Sequence, residues 1–193
     1  MTVLISKRKE EILHAAKTLF REKGYAGTSM RDIAKVVGIE PASLYSHFKS
    51  KDDILQFICF EIAREFLEMQ EPILNSMTNP TEKLRRVIAG HVAIVMHNLE
   101  AASVFFNEWK HMREPELSRF VELRELYEDG FKRIMEEGIT SGDFKNVEVH
   151  FFVRMLFSVI NEVHEWYRTT GRVAPDEVGE MMSEFVLYGI AIQ

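Results

Sequence analysis

The chain has 193 residues, 46% of them hydrophobic and 28% charged, with 30 acidic against 24 basic side chains and a net charge of -6. That balance is that of an ordinary globular chain and excludes a disordered one, and the lack of any apolar run of about 18 residues excludes a bilayer-spanning helix. The start, Met1 to Lys7, is too short for a signal peptide, and the single Cys59, set among Phe57, Ile58 and Phe60, reads as a buried inert thiol. A cytoplasmic protein with no membrane partner is the expectation.

Ser6 caps a first predicted helix, about Lys7 to Lys23, with Ile12, Ala16, Leu19 and Phe20 on one face and the cations Lys7, Arg8 and Lys9 at its tip. Gly24 ends it, and Tyr25 packs beneath. The stretch from Thr28 to Lys51 then reads as two short helices around a tight turn. Ser29 and Asp32 have capping-box spacing, and Ile33, Ala34 and Val37 form an apolar stripe. Gly38 supplies positive φ where the helix stops, Ile39 plugs the gap, and Pro41 opens a second helix predicted to reach His47. Glu40, just before it, either caps that helix or repels a nearby phosphate. Leu44 and Phe48 are spaced to face inward, which leaves Ala42, Ser43, Tyr45, Ser46 and His47 outside. Small and hydroxylated side chains let a helix approach base edges, while Tyr and His reach backbone oxygens. Two helices crossing at a glycine-bearing turn, here about 29–48, follow the helix-turn-helix plan. Basic residues outnumber acidic ones in 1–53 and the remainder is acidic, so the cations collect where DNA would lie.

Ser50 and Asp53 make another capping box and open a long helix carrying Ile54, Phe57, Ile58, Ile62, Phe66 and Met69. It leaves the first domain for the second and is the natural lever between them. Pro72 and the stretch Asn75 to Pro80 break the pattern. Asn79, Pro80 and Glu82 restart it for a helix to about Asn98, followed by a short segment Ala101 to Met112 and a helix from Pro115 to the Gly138–Gly142 region. Two last helices, about Asn146 to Thr170 and Pro175 to Ile192, are unusually apolar. Phe152, Leu156, Val159, Val163 and Trp166 form one stripe, and Val178, Met182, Phe185, Gly189 and Ile192 another. Such stripes are seams, so Leu156, Val159, Val163, Trp166, Met182, Phe185 and Gly189 are the expected dimer interface. Phe151, Met155, Ile160, Met181 and Val186 lie off the stripes and exceed what one chain buries, which favours a two-fold homodimer through a four-helix bundle.

Met96, Phe105, Phe106, Trp109, Met112, Phe120, Tyr127, Phe131 and Phe152 are the expected lining of an apolar ligand site; each alone could equally fill a core. Asn107, His111, Arg124, Asn161 and His164 are polar side chains that could orient a ligand. Catalysis finds no footing. The seven histidines show no HExxH or Cys/His metal spacing, and no phosphate-binding glycine loop or GxSxG elbow occurs. No catalytic residue, no metal and no cofactor are expected.

The run Gly24-Tyr25, Thr28, Arg31-Asp32-Ile33-Ala34, Gly38, Leu44-Tyr45, His47-Phe48 and Ser50-Lys51 closely resembles the DNA-binding domain of the tetracycline-repressor (TetR) family of bacterial regulators. The resemblance implies an all-α protein of about nine helices: a three-helix DNA-binding domain (6–66) and a larger helical ligand-binding and dimerisation domain (67–193). It implies a repressor that binds double-stranded DNA at an inverted repeat as a homodimer and is released by a hydrophobic small molecule. By the same resemblance Thr28, Tyr45, His47 and Lys51 are phosphate contacts, Ala42, Ser43 and Ser46 lie at base-reading positions, and Ser29 joins the DNA-binding set. Trp166-Tyr167-Arg168, Gly171-Arg172, Pro175 and Glu177 resemble members governing fatty-acid, aromatic-acid or sterol breakdown, which points to an acyl-CoA effector. A helical protein-interaction module without sequence-specific DNA binding is the alternative.

Overall fold

The structure, a computed structural model, describes residues 6–168 and 170–191. Its helices are α1 (Lys7–Lys23), α2 (Met30–Val37), α3 (Pro41–Tyr45), α4 (Lys51–Leu74), α5 (Pro80–His97), α6 (Leu99–Asn107), α7 (Glu116–Ser141), α8 (Val149–Ile160), the single turn α9 (Val163–Trp166) and α10 (Pro175–Ile190). A 3₁₀ turn, Trp109–His111, separates α6 from α7. The fold is all-α, as the spacing of apolar residues predicts. Among the described residues there is no strand, only one isolated bridge between Phe144 and Ala191.

The chain forms two compact units. One comprises the residues through Ile62 together with Glu100–Phe120; the other comprises Ala63–Leu99 together with the residues from Val121 onward. In the first, Ile12, Ala16, Phe20, Ile33, Leu44, Ile54 and Leu55 are wholly buried or nearly so. Gly38 ends α2 at φ 72° and ψ 37°, and its N–H and that of Ile39 both return to the carbonyl of Ala34 or Lys35, a left-handed stop that glycine enters without a Cβ clash. In the second unit α10 lies along α5, where a Cβ on Gly179 would sit 3.0 Å from the Ala89 backbone; the missing side chain is what allows the close approach.

Several element boundaries differ from the sequence reading. Pro72 does not end α4, which continues to Leu74; the proline sits exposed in the last turn, and the carbonyl it leaves without a donor belongs to exposed Glu68, so the lost bond is not a buried one. The second helix of the helix-turn-helix ends at Tyr45 rather than His47, with the N–H groups of Ser46 and His47 making tighter bonds to Ser43 and Leu44. Segment 101–112 divides into α6 and the 3₁₀ turn. The long helix expected over 146–170 is broken at Asn161–Glu162. There the buried His164 ring places Nδ1 2.6 Å from the Asn161 carbonyl, the acceptor that Glu165 N–H would need to continue the helix, and that N–H bonds Glu162 instead. Ile192 of the second seam falls outside the described residues.

Candidate nucleic-acid interface and apolar site

α2, the Gly38 turn and α3 are positioned by caps at one end and buried anchors at the other. Ser29 accepts from Asp32 N–H at 3.2 Å, and Asp32 accepts from Ser29 N–H at 2.9 Å. The Ser29 hydroxyl and N–H bonds together pull the Asp32 carboxyl below its usual range. Leu44 and Phe48 are buried, while Ala42, Ser43, Tyr45 and Ser46 are exposed and His47 is half-buried. Ser46 Oγ donates to the Ser43 carbonyl at 2.7 Å, so Ser43 keeps the freer hydroxyl of the two. Glu40 stands at the start of α3 without a side-chain cap bond; its backbone carbonyl accepts from Ser43 and Leu44.

Two members of the expected DNA set are turned inward. Thr28 is only 2% exposed, and its hydroxyl donates to the carbonyls of Gly24 at 3.0 Å and Leu19 at 3.3 Å, so it fixes the loop before α2 instead of meeting a phosphate. Lys51 Nζ donates to the carbonyls of Tyr25 and Thr28, both at 2.7 Å, and lies 4.0 Å from the centroid of the Tyr25 ring. Lys9, at the tip of α1, rests over the rings of Phe48 and Phe57 at 4.9 and 4.4 Å. Exposed cations on the same elements, Arg31, Lys35 and Lys49, are positions that the outward stripe of α3 does not single out.

The expected ligand-site residues fall into two clusters, one in each unit. In the first unit Phe105 meets Phe106 and Phe120 edge-on at 4.9 and 5.3 Å, Trp109 lies 5.9 Å from Phe120, and Met112 is buried. Phe60 of α4 joins them at 5.8 Å from Phe120. In the second unit Tyr127 and Phe131 pack at 5.3 Å, Met96 is buried and Phe152 is half-buried. Phe66, Phe157 and His91 complete that cluster; Phe157 lies off the stripe of Phe152, Leu156 and Val159 that periodicity picks out, so the sequence gives no cue to it.

A polar group lies inside this second cluster. His91 stacks on Phe66 at 4.5 Å, its Nδ1 is 3.1 Å from Tyr127 Oη, and Gln70 donates its amide to the Tyr127 carbonyl at 3.0 Å. Burial, opposed by a hydrogen bond with Asn161, pushes His91 down to about 3, so the ring is neutral at physiological pH. Burial likewise pushes the Tyr127 phenol well up and keeps it a donor. The remaining polar candidates are dispersed: Asn107 and His111 are exposed, Arg124 is half-buried and His164 is buried at the helix break.

A separate groove of about 360 Å³ is walled by Trp166, Val173, Val178, Met181 and Met182, with Arg168 and Arg172 among its lining. Its lining is nearly all apolar, and Arg168 turns its Nη1 to the carbonyls of Glu165 and Tyr167, at 2.8 and 2.9 Å.

The seam residues divide. Val159, Trp166 and Phe185 are exposed, Met182 is half-buried, and Gly189 faces open space. Leu156 and Val163, in contrast, are buried at 4% and 0% exposure, so they belong to the core of their unit, a correction to the expected interface. The exposed stripe runs instead through Phe151, Met155, Val159 and Trp166, and on α10 through Met181, Phe185 and Tyr188. A helix with two apolar faces gives periodicity no means of choosing which one turns inward. Among the described residues, no three His, Cys, Asp or Glu side chains are placed to hold a metal ion, and no single helix is long and apolar enough to cross a membrane.

Comparison with known proteins gives a consistent result. A family model described as bacterial regulatory proteins, tetR family, matches residues 12–58, and one described as tetracyclin repressor-like, C-terminal domain, matches 77–190. The HTH-type transcriptional repressor KstR2 of Rhodococcus jostii is 31% identical, over 96% of this chain and 92% of its own length. The fatty acid metabolism regulator protein of Bacillus subtilis is 27% identical, over 93% and 94% respectively. The solved structure of the ketosteroid transcriptional regulator KstR2 of Mycobacterium tuberculosis matches with a TM-score of 0.92 at 25% identity, covering 98% of this chain and 97% of that one.

Proposed function

The chain belongs to the TetR family of bacterial transcriptional regulators, DNA-binding repressors that answer to small molecules, and from that premise we propose that it holds an inverted-repeat operator as a two-fold dimer and releases it on binding a hydrophobic acyl-CoA. The family is one of regulators, not enzymes. Residues 6–66 serve DNA binding, 67–193 serve the ligand and the dimer, and the site of action is the cytoplasm, where the DNA lies.

The observation that carries the reading is the outward side of α3. Buried Leu44 and Phe48 anchor a one-turn helix whose exposed side offers Ala42, Ser43, Tyr45 and Ser46, with His47 at its end. Small side chains at three of these positions admit the helix to a major groove, Ser43 is placed to bond a base edge, and Tyr45 and His47 reach phosphates. In a two-fold dimer two such helices must stand about 34–36 Å apart to enter successive grooves. The exposed stripes of α8 and α10 supply the apolar surface for that dimer. An effector that favours a wider spacing lowers operator affinity a hundredfold with about 2.7 kcal/mol of differential affinity between the two arrangements.

Two supports bear on the effector. Relatives carry names that refer to ketosteroid and fatty-acid regulation, and the groove beside Trp166 offers the apolar walls that a greasy chain requires, with Arg172 at its edge as the cation nearest to hand for anionic phosphates. The test is selection of the full chain against a random duplex library, followed by thermal-shift screening of acyl-CoAs against free CoA and free fatty acids. One enriched palindrome, and a melting temperature raised by acyl-CoAs alone, are the expected results. A melting temperature raised by another ligand class and unmoved by acyl-CoAs overturns the effector assignment and leaves the DNA assignment standing.

A further inference from the structure

Tyr25 is the point at which three segments of the first unit are tied together. Its ring, buried behind Gly24, meets Phe20 edge-on at 5.3 Å and stacks on His111 of the 3₁₀ turn at 5.2 Å with 22° between the planes. Its hydroxyl donates to Asp52 at the start of α4, and Asp52 in turn faces Arg113 Nε at 3.6 Å. Lys51 lies over the same ring and grips the carbonyls of Tyr25 and Thr28. Glu108 also faces His111, Oε2 to Nε2 at 3.4 Å. The loop of residues 24–29 that decides where α2 begins is therefore clasped both by α4 and by a turn some eighty residues further along the chain. Burial first, and the bond to Asp52 second, push the phenol above its ordinary range, which keeps it a donor at every physiological pH.

We propose that Tyr25 is a positioning residue for DNA reading, through which the 108–113 turn fixes the orientation of α2 and α3. The proposal rests on the assignment of α2 and α3 as the DNA-reading pair. His111 and Arg113 are exposed and lie outside the helix-turn-helix, so removing them leaves its core and its outward residues intact. What they contribute is directional. A flat ring on one face of Tyr25 and a cation beside its acceptor hold the phenol in one rotamer, and that rotamer holds the loop. A turn joined directly to α7 thus has a route to the reading helices that does not pass along the backbone of α4.

The experiment uses the full chain, native and with His111→Ala and Arg113→Ala combined, and reads two quantities. The first is amide hydrogen exchange over residues 30–45; the second is affinity for the palindrome recovered by library selection. The double variant is expected to exchange several-fold faster over 30–45, with exchange over 84–96 unchanged, and to bind the palindrome about five- to tenfold more weakly. His111→Phe, which preserves a ring on Tyr25, is expected to retain native values in both measurements. Unaltered exchange over 30–45 overturns the proposal, and so does faster exchange with native operator affinity, which would reduce the clasp to local stability. A native chain that recovers no palindrome overturns the assignment of α3 itself, an outcome separable from these because the native protein alone reveals it.

Discussion

The outward side of α3 and the outward sides of α8 and α10 are both exposed, yet they are made from opposite materials. α3 offers small and hydroxylated groups around one tyrosine, whereas α8 and α10 offer Phe151, Met155, Val159, Met181, Phe185 and Tyr188. The first surface loses little by facing water until DNA replaces it. The second exposes rings that water disfavours, Phe185 and Tyr188 at 81% and 82%, and in the proposed dimer it is this cost that a second copy of the chain would remove. One surface waits for a hydrated, charged partner and the other for an apolar one, and the substitutions that damage each should differ in kind.

The largest expected effect is on the apolar side. Phe185→Glu changes two side chains in a two-fold dimer, and at roughly 1.5–3 kcal/mol per buried ring it should weaken association by ~3–6 kcal/mol, a hundredfold or more, with the monomer still folded. Sedimentation equilibrium alongside circular dichroism checks both halves of that statement. Leu156→Glu sharpens the contrast: on α8 it lies beside exposed Met155 and Val159 but is itself buried, so the fold itself should fail.

The interior supplies the next effect. His91 is buried neutral, so below about pH 6.5 the unfolded chain takes up a proton that the native chain refuses until about pH 3. Stability therefore falls as the pH drops through that window, by about 1.4 kcal/mol for each pH unit. Urea denaturation of native protein and His91→Gln at pH 6.5 and 4.5 should show the native chain losing about 2 kcal/mol more than the variant over that interval.

On the polar side the effects are smaller and fall on binding alone. Tyr45→Phe and His47→Ala should each weaken all DNA sequences alike, by about 1–2 kcal/mol, since phosphate contacts carry no sequence information. Ser43→Ala should change which base is preferred at one position per half-site, by about 1–3 kcal/mol of discrimination, and Ser46→Ala should do less because that hydroxyl already donates to the Ser43 carbonyl. Competition binding against single-base operator variants separates the two patterns. The smallest effect is expected at the turn that joins the reading helices. Gly38→Ala places a Cβ at φ 72°, where nothing lies within 4 Å to clash, so only the backbone preference is lost, about 1 kcal/mol in a melting experiment.

The same contrast explains what could be read from the sequence. In the first unit each helix is bracketed by local chemistry: the Ser29–Asp32 box, Gly38 and Pro41 fix both ends of α2 and the start of α3, and with the ends fixed the outward residues follow. Where a residue type has two uses the sequence was silent. Thr28 is as suited to a phosphate as to the two carbonyls it meets, and Lys51 as suited to DNA as to the carbonyls and ring of Tyr25. In the second unit α8 is apolar on more than one side, so heptad spacing selected Leu156 and Val163, which are core, together with Val159, which is exposed. The break at Asn161 was equally hidden, because it depends on a histidine ring reaching back to a carbonyl three residues earlier. The buried set of His91, Tyr127 and Gln70 joins helices far apart in sequence, and no local pattern announces it.

The central claim is that α3 of each of two chains enters a major groove of one DNA duplex. Hydroxyl-radical footprinting of the full chain on its selected DNA, with the protein-to-duplex ratio determined on the same complex, tests it most directly. Two chains per duplex and two protected half-sites on one face of the helix, with centres about 34–36 Å apart, are expected. A single protected site, or one chain per duplex, would contradict it.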